Sequence, residues 1–229
     1  MNSKHPFVTL NVAMTADGKI DTAARRGAAI SSPRDRERVD RLRAESDAVM
    51  VGGRTLLGDD PKLTVKSPAL RAGRRARGLD ENPIKVGVIS DAAGLRSDSQ
   101  FLNAGPARVF LYTTRHTGAA HVERLRAQGV AVFVVGEQQV DLPEMMRSLR
   151  SHGVSRLLVE GGSTLNAALL KERLVDEVTI YVAPLIFGGA DAPTLAGGPG
   201  FPREEAIRLQ ELSVEQLEDG GVVIHYRVL

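Results

Sequence analysis

The residues best suited to chemistry lie in the run Val159-Glu160-Gly161-Gly162-Ser163-Thr164-Leu165. An apolar strand ends here, two glycines follow, and a helical pattern then begins around Leu165. Glycines allow a ligand to approach the backbone closely, and the free N–H groups at a helix start favour an anion such as a pyrophosphate. The pattern is equally typical of a phosphate site and of an ordinary tight turn between a strand and a helix.

A second turn of the same kind, Val51-Gly52-Gly53-Arg54-Thr55, follows an earlier apolar run. Open α/β sheets bind ligands outside the carboxyl ends of their strands, so two such turns are placed to bracket one dinucleotide. Neither turn has the Gly-x-Gly-x-x-Gly fingerprint. This absence argues against an ordinary Rossmann site.

Other reactive groups in the sequence have less support. The adjacent carboxylates Asp59 and Asp60 are possible metal ligands, but the five histidines are scattered. We therefore predict no metal site, and a turn in which Asp caps backbone amides. Ser163 lacks the Gly-x-Ser-x-Gly context of a hydrolase. The absence of cysteine excludes a thiolate nucleophile, a Cys-ligated zinc and an iron–sulfur cluster.

The charge of the chain is nearly balanced. It has 30 Lys and Arg residues against 28 Asp and Glu, a formal net charge of +2. Four arginines cluster at positions 71, 74, 75 and 77, in a stretch over residues 66–83 that has little periodicity. No aromatic residues that could stack on bases are interleaved there. We interpret the stretch as an exposed loop and predict no nucleic-acid partner, although a basic nucleic-acid module is a distant alternative.

Short apolar runs alternate with helical patterns along most of the chain. Ser32 followed by Pro33 is a good helix entry, because Ser can cap and Pro at the first helical position gives up an amide that would lack a partner. Apolar runs bounded by turn residues predict strands. The predicted strands are residues 7–14, 48–52, 84–89, 108–112, 130–135, 156–160, 175–183, 206–216 and 222–228, and the predicted helices are 33–45, 116–128 and 142–151.

This alternation predicts an α/β fold with a mostly parallel central sheet flanked by helices. Asp219-Gly220-Gly221 is typical of a hairpin turn, so the last strands should form a C-terminal antiparallel hairpin. With no repeat and no linker, we predict a single domain over residues 1–229. No window approaches 18 uncharged apolar residues, and the start lacks an apolar signal region. We therefore expect no membrane partner and a cytoplasmic location.

Several stretches, each weak alone and specific together, match one known family in the same order over nearly the whole chain. On these stretches the chain resembles the dihydrofolate-reductase-like reductases of riboflavin biosynthesis, in their stand-alone archaeal form. The sequence lacks the zinc-deaminase motifs of the bifunctional relatives, so the resemblance is to the reductase alone. The stretches are Asn11-Val-Ala-Met-Thr-Ala-Asp-Gly-Lys-Ile20, Ile30-Ser-Ser32, Leu42-Arg-Ala44, Asp47-Ala-Val-Met-Val-Gly52, Thr55-Leu-Leu-Gly-Asp-Asp-Pro-Lys-Leu-Thr64, Leu158-Val-Glu-Gly-Gly-Ser-Thr-Leu-Asn166, Leu174-Val-Asp-Glu-Val178, Tyr181-Val-Ala-Pro-Leu-Ile-Phe-Gly-Gly189 and Ala192-Pro-Thr194.

The resemblance implies a dihydrofolate-reductase-like fold, a homodimer and an NADPH-dependent oxidoreductase. The implied substrate is 2,5-diamino-6-ribosylamino-4(3H)-pyrimidinone 5′-phosphate, whose ribosyl group is reduced to a ribityl chain in riboflavin biosynthesis. We hypothesise that the ribose ring opens to an imine and that hydride is delivered to its C1′. The alternatives are the deaminated pyrimidine or dihydrofolate as substrate, or a non-catalytic nucleotide-binding protein.

The resemblance also implies roles for individual residues. Glu160 is the predicted catalytic residue, and it would orient ribose hydroxyls or the opening ring. Arg43 and Lys66 are the candidates for the substrate phosphate, although many bifunctional relatives have Arg at the position of Lys66. The predicted substrate-binding residues are Asn11, Arg43, Lys66 and Glu160, and the predicted cofactor-binding residues are Arg54, Thr55, Asp59, Ser90, Gly161, Gly162, Ser163, Thr164 and Leu165.

Overall fold

The computed structural model describes residues 4–229, and it confirms the predicted α/β fold with a mostly parallel sheet and a C-terminal antiparallel hairpin. The strands are β1 (Phe7–Thr15), β2 (Ala48–Gly52), β3 (Ile84–Val88), β4 (Val109–Thr113), β5 (Ala131–Val134), β6 (Arg156–Val159), β7 (Glu177–Ala183), β8 (Leu209–Gln216) and β9 (Val222–Val228). The helices are α1 (Pro33–Glu45), α2 (Gly53–Gly58), α3 (Pro68–Ala76), α4 (Gln100–Asn103), α5 (Ala119–Ala127), α6 (Leu142–Ser151) and α7 (Ser163–Lys171), with a 3₁₀ turn at Arg203–Glu205.

The chain divides into two compact units. The first contains residues 40–158 with the segment before residue 7, and the second contains residues 7–39 and 159–229. The prediction of a single domain over residues 1–229 stays a prediction, and residues 1–3 lie outside the described part of the chain. No helix within residues 4–229 is long and apolar enough to cross a membrane.

In the first unit the strand order is β5-β4-β3-β2-β6. β2 pairs with β3, β3 with β4 and β4 with β5, and all three pairs are parallel. Every residue of β2, β3 and β4 is buried. Strands covered on both faces have continuous rather than alternating apolar runs, which is why these segments were visible in the sequence. Their side chains form one core with residues such as Leu56, Phe101 and Leu125.

In the second unit β1 pairs with β7 in parallel, and β9 joins β7 in the antiparallel sense. β8 and β9 form the predicted hairpin, whose turn contains Gly220 in the left-handed region at φ +83°. Glycine is the residue that adopts this conformation without a steric cost. β8 lies at the end of the strand order in this unit, and every residue along it is exposed.

The prediction of an exposed loop over residues 66–83 is wrong, because the stretch contains α3. Ser67 caps this helix by accepting a hydrogen bond from the Leu70 N–H, and Pro68 occupies its first turn. Arg74 is only 2% exposed. It replaces the apolar stripe that usually reveals a helix in a sequence, so a search for hydrophobic periodicity misses this one. The short helices α2 and α4 were missed as well.

Lys85 on β3 is fully buried, and its ammonium group links β3 to the end of α4. Nζ donates hydrogen bonds to the carbonyl oxygens of Phe101 at 2.6 Å and Ala104 at 2.7 Å, at the end of α4. Burial lowers the pKa of Lys85 from 10.5 to about 8, and the charge of Asp60 opposes this shift. The charged form therefore costs free energy in the folded protein, and its hydrogen bonds offset only part of that cost.

This pKa predicts an unusual dependence of stability on pH. Between about pH 8 and pH 10.5 the unfolded chain binds more protons at Lys85 than the folded chain, so stability should rise with pH. Relative to a Lys85→Met variant, the wild type should gain about 2 kcal/mol between pH 8 and pH 10. Urea unfolding of both proteins across this range measures the difference. A constant or opposite difference would contradict the assigned pKa.

Candidate active site

Residues 64–67 form a short segment whose backbone is held by side chains from several elements. Arg43, in the last turn of α1, donates to the Thr64 carbonyl at 3.1 Å. The Asp40 carboxylate, one helical turn earlier, accepts the N–H groups of Lys66 at 2.6 Å and Ser67 at 2.8 Å. The structure thus brings the two predicted phosphate ligands, Arg43 and Lys66, to the same segment. The Lys66 side chain itself is exposed.

Two further residues complete the support of this segment. Asn82 accepts the N–H of Val65 at 2.8 Å, and Arg71 donates to the carbonyls of Val65 and Lys66 at 2.9 Å each. A non-repetitive segment must satisfy its backbone groups through side chains or water, and here side chains do so. Asp40 and Asn82 were missed by sequence reasoning, since nothing in their local patterns marks them, and Arg71 was interpreted as part of an exposed loop.

The arginine cluster of residues 71–77 is partly directed into the protein. Arg74 donates to the carbonyls of Ala44 at 2.9 Å and Ser46 at 2.7 Å, and Arg77 donates to Ala44 at 2.8 Å. These carbonyls lie at the C-terminus of α1, where cations are favourable because of the helix dipole. Two of the four arginines therefore fix the end of the helix that carries Arg43.

The start of α2 packs closely on the end of β3. A Cβ atom on Gly53 would lie 2.7 Å from Ile89 Cγ1, so only glycine fits this contact. Because β2 and β3 are parallel and in register to Gly52 and Val88, their carboxyl ends lie side by side. The predicted cofactor residues Arg54 and Thr55 on α2 are thereby brought to the same sheet edge as Ser90. Arg54 is exposed, whereas Thr55 and Ser90 are half-buried.

The two carboxylates that follow α2 differ in their roles. Asp59 is exposed and caps α2, with its N–H donating to the Thr55 carbonyl at 3.0 Å. The Asp60 carboxylate accepts the N–H groups of Gln100 at 2.8 Å and Phe101 at 2.9 Å at the start of α4. The prediction that an Asp of this turn caps backbone amides is confirmed for Asp60.

In the second unit, Glu160 and the glycine pair connect β6 to α7. Glu160 is half-buried and directly follows the strand. Gly161 has φ +99°, which favours glycine, and its peptide bond to Gly162 is cis. Gly162 is the N-cap of α7 and offers no side chain to the first-turn N–H groups. The helix therefore begins with backbone donors that no capping side chain satisfies.

The first turn of α7 also forms hydrogen bonds with the segment of residues 194–197. The Ser163 hydroxyl donates to the Thr194 carbonyl at 2.6 Å, and the Gly197 N–H donates to the Ser163 carbonyl at 3.1 Å. Asn166, which is fully buried, donates to the Leu195 carbonyl at 2.8 Å. The side chains of Ser163 and Leu165 are buried as well, whereas that of Thr164 is exposed. Ser163 and Leu165 therefore have mainly their backbone N–H groups to offer to a ligand.

Asn11 occupies a buried position on β1. Its side-chain oxygen accepts a hydrogen bond from Arg38 on α1 at 2.8 Å, and Arg38 is paired with the fully buried Asp35. Neither Arg38 nor Asp35 was singled out from the sequence. Their spacing of three residues on α1 was the available signal, but it is also common on exposed helix faces. Residues 4–229 contain no group of three or more metal-ligating side chains.

A family model for the RibD C-terminal domain matches residues 6–223. The chain belongs to this family. This finding confirms the resemblance that the strand-end turns and the Glu-Gly-Gly run indicated. The match extends over elements of both units, from β1 into β9, so this member of the RibD C-terminal domain family has the family's pattern almost from end to end.

Relatives of this family member span nearly its whole length. A protein of Archaeoglobus fulgidus, named 2,5-diamino-6-ribosylamino-4(3H)-pyrimidinone 5′-phosphate reductase, is 41% identical over 95% of this chain and 96% of its own. A protein of Methanothermobacter thermautotrophicus with the same name is 41% identical over 97% and 98%, respectively. The solved structure of Acinetobacter baumannii RibD has a TM-score of 0.81 at 25% identity. That match covers 100% of this chain and 59% of the solved one.

The contact of Gly53 with Ile89 gives a testable prediction about this part of the site. Gly53→Ala should destabilise the protein by about 1–3 kcal/mol, because the added methyl group overpacks the junction of α2 and β3. Gly58→Ala, in the same helix, is the matched control, since nothing lies within 4 Å of its Cβ position. It should be neutral or stabilising by up to about 1 kcal/mol. Thermal unfolding of both variants measures the difference in stability. Equal melting temperatures would contradict the packing argument.

Proposed function

We propose that this chain reduces the ribosyl group of 2,5-diamino-6-ribosylamino-4(3H)-pyrimidinone 5′-phosphate to a ribityl chain in riboflavin biosynthesis, with NADPH as the reductant. The observation that carries the proposal is the 41% identity, over 95% or more of the chain, to two reductases named for this substrate. The positions and contacts of the predicted site residues support the roles that we propose for them. We expect the protein to act in the cytoplasm, and to need no nucleic-acid or membrane partner.

The residues around α7 fit the phosphates of a dinucleotide. The N–H groups of Ser163, Thr164 and Leu165 begin a helix whose cap, Gly162, has no side chain. Free amides together with the helix dipole favour an anion. The backbone at Gly161 and Gly162 carries no Cβ, so a ligand can approach it closely. We assign the pyrophosphate of NADPH to this turn.

The residues at the ends of β2 and β3 fit another part of the same cofactor. Thr55 and Ser90 supply half-buried hydroxyl groups, and Arg54 supplies an exposed guanidinium group. Asp59 stands at the end of α2, where its N–H is used by the helix and its carboxylate is exposed. We propose that Arg54, Ser90 or a nearby loop arginine binds the 2′-phosphate, since arginine matches phosphate geometry with paired donors. Equal binding of NADPH and NADH would contradict this assignment.

Arg43 and Lys66 are proposed to hold the 5′-phosphate of the substrate. Arg43 already donates to the Thr64 carbonyl, so it positions the segment in addition to supplying charge. The backbone of Lys66 is tied by Asp40 and Arg71, while its side chain is exposed and available. A cation on a fixed backbone loses less entropy when it binds a phosphate, which favours a defined substrate position.

Glu160 is the proposed catalytic residue. During the reaction the ribose ring opens as its ring oxygen takes a proton and the attached nitrogen forms an imine with C1′. NADPH would supply the hydride that C1′ accepts, and the imine nitrogen would take a proton to become the N–H of the ribitylamino product. We propose that the Glu160 carboxylate, half-buried at the end of β6, orients the ribose hydroxyls or the opening ring. A role toward the cofactor phosphates is disfavoured, because like charges repel in a site of low dielectric constant.

We also propose that the protein is a homodimer joined through β8. This strand is exposed along its whole length and presents Leu209, Leu212 and Val214, the last with 55% exposure. An exposed apolar strand at a sheet edge is a ready site for association with another chain. Sedimentation of the purified protein should give the mass of two chains, and the mass of one chain would remove this part of the proposal.

The decisive experiment is NADPH oxidation by the purified protein with three substrates in parallel. Turnover of the diamino pyrimidine phosphate, with dihydrofolate inert, is the expected result. If only the deaminated pyrimidine or only dihydrofolate is turned over, that compound is the substrate instead. Binding of NADPH without any turnover would favour a non-catalytic protein. A Glu160→Gln variant should lose about 10²-fold in kcat. Full activity of this variant at saturating and limiting substrate would exclude the catalytic role.

Lys66→Ala tests the phosphate site, because its side chain is not used in the fold. Loss of one charged contact should raise KM for the pyrimidine phosphate about 10- to 100-fold, with the melting temperature unchanged. The matched control is Lys62→Ala, another exposed lysine of the same stretch, which should leave KM unaltered. If the two variants have the same KM, Lys66 does not bind the phosphate.

A further inference from the structure

A buried ion pair on α1 controls how Asn11 is oriented. Nε and Nη2 of Arg38 both donate to Oδ1 of Asp35, at 2.9 Å and 2.7 Å. Nη2 also donates to Oδ1 of Asn11 at 2.8 Å. A guanidinium group has only donors, so the Asn11 atom that it contacts must be the amide oxygen. The amide nitrogen Nδ2 therefore points away from Arg38.

The other end of the Asn11 amide remains available for a ligand. Among residues 4–229, the bond from Arg38 is the one hydrogen bond that the Asn11 side chain makes. Its Nδ2 is also absent from the fully buried polar atoms that lack a partner. Asn11 is 7% exposed, so this small accessible surface includes a hydrogen-bond donor. Position 11 thus offers two N–H donors in a fixed direction.

A pocket lies on the same side of β1. Ala13, two residues along the strand, lines a cavity of about 240 Å³ together with Ile20, Ile30 and Arg36. Alternate residues of a strand point to the same face, so Asn11 and Ala13 share a face. α1 contributes Arg36 to the pocket and Arg38 to Asn11. Asn11 therefore lies on the same face of β1 as this cavity of the second unit, two residues before the lining residue Ala13.

The ion pair between Asp35 and Arg38 adds little to the stability of the fold. Oδ2 of Asp35 and Nη1 of Arg38 are buried without a hydrogen-bond partner among the described residues. Unsatisfied buried polar atoms are destabilising, and a buried ion pair is weak support for stability even when it is fully satisfied. The clear structural effect of the pair is the orientation that it imposes on Asn11.

We propose that Arg38, held by Asp35, is a positioning residue that locks the Asn11 amide so that its NH₂ group faces the pyrimidine of the substrate. Asn11 then donates to an acceptor of the ring, such as a carbonyl oxygen or an unprotonated ring nitrogen. Without Arg38 the side-chain amide of Asn11 flips freely, so its NH₂ group and its oxygen face the substrate in comparable proportion. This inference rests on the proposed function, because it places Asn11 in the substrate site.

A double-mutant cycle tests whether Arg38 acts through Asn11. Asn11→Ala and Arg38→Met should each lower kcat/KM for the pyrimidine phosphate about 5- to 30-fold, mainly through KM. The double variant should be no worse than Asn11→Ala, because Arg38 then has nothing to orient. Multiplicative losses would overturn the proposal. Arg34→Met is the matched control, since Arg34 pairs with Glu37 and Glu218 and should leave KM unchanged.

Asn11→Asp keeps the proposal testable if Arg38→Met fails to fold. The new carboxylate still accepts from Arg38 but has no N–H to donate, so kcat/KM should fall about tenfold or more while the melting temperature is retained. Unchanged kcat/KM in this variant would exclude a donor at position 11. Wild-type turnover in the same assay separates the two proposals. An inactive wild type with bound NADPH would overturn both, whereas an active wild type with additive variants overturns only the role of Arg38.

Discussion

The need to satisfy the backbone groups of a short irregular segment, residues 64–67, determines how several side chains of the first unit are used. Residues 64–67 have no helix or strand to supply their hydrogen bonds, so Asp40, Arg43, Arg71 and Asn82 supply them. Asp40 and Arg43 lie on α1, Arg71 lies on α3, and Asn82 lies in the stretch before β3. The result is a fixed backbone beneath Lys66, whose side chain stays exposed. In the phosphate site that we propose, Lys66 would lose little conformational entropy on binding, because the backbone that carries it is already fixed.

Buried and half-buried charged side chains within residues 4–229 mainly hold neighbouring elements in place. Lys85 fastens the end of α4, Arg74 the end of α1, and Asp60 the start of α4. In the second unit the pair of Asp35 and Arg38 acts on Asn11. A charged group forms stronger hydrogen bonds than a neutral one, and it offsets its desolvation only when its partners are fixed. These charged residues therefore fix the orientation of their partners, whereas the side chains of Arg54 and Lys66 are exposed.

Glycines at the strand ends perform a complementary task. Gly53 allows α2 to lie against Ile89, and Gly161 takes a backbone conformation that other residues rarely adopt. Gly162 leaves the first turn of α7 without a capping side chain. Bare backbone donors next to small residues suit a phosphate-containing cofactor that must lie close to the main chain.

The sequence alone was sufficient for the α/β class, most strand positions, the C-terminal hairpin and the Glu160–Leu165 turn, because buried parallel strands and glycine turns leave local patterns. It was also sufficient for the family, through matches spread over the chain. α3 was missed because a buried arginine, rather than an apolar stripe, anchors it. Asp40, Asn82 and the pair of Asp35 with Arg38 were decided only by the tertiary structure. Their partners lie 17 to 27 residues away in the chain, and no local pattern encodes which distant backbone group or amide a polar side chain will meet.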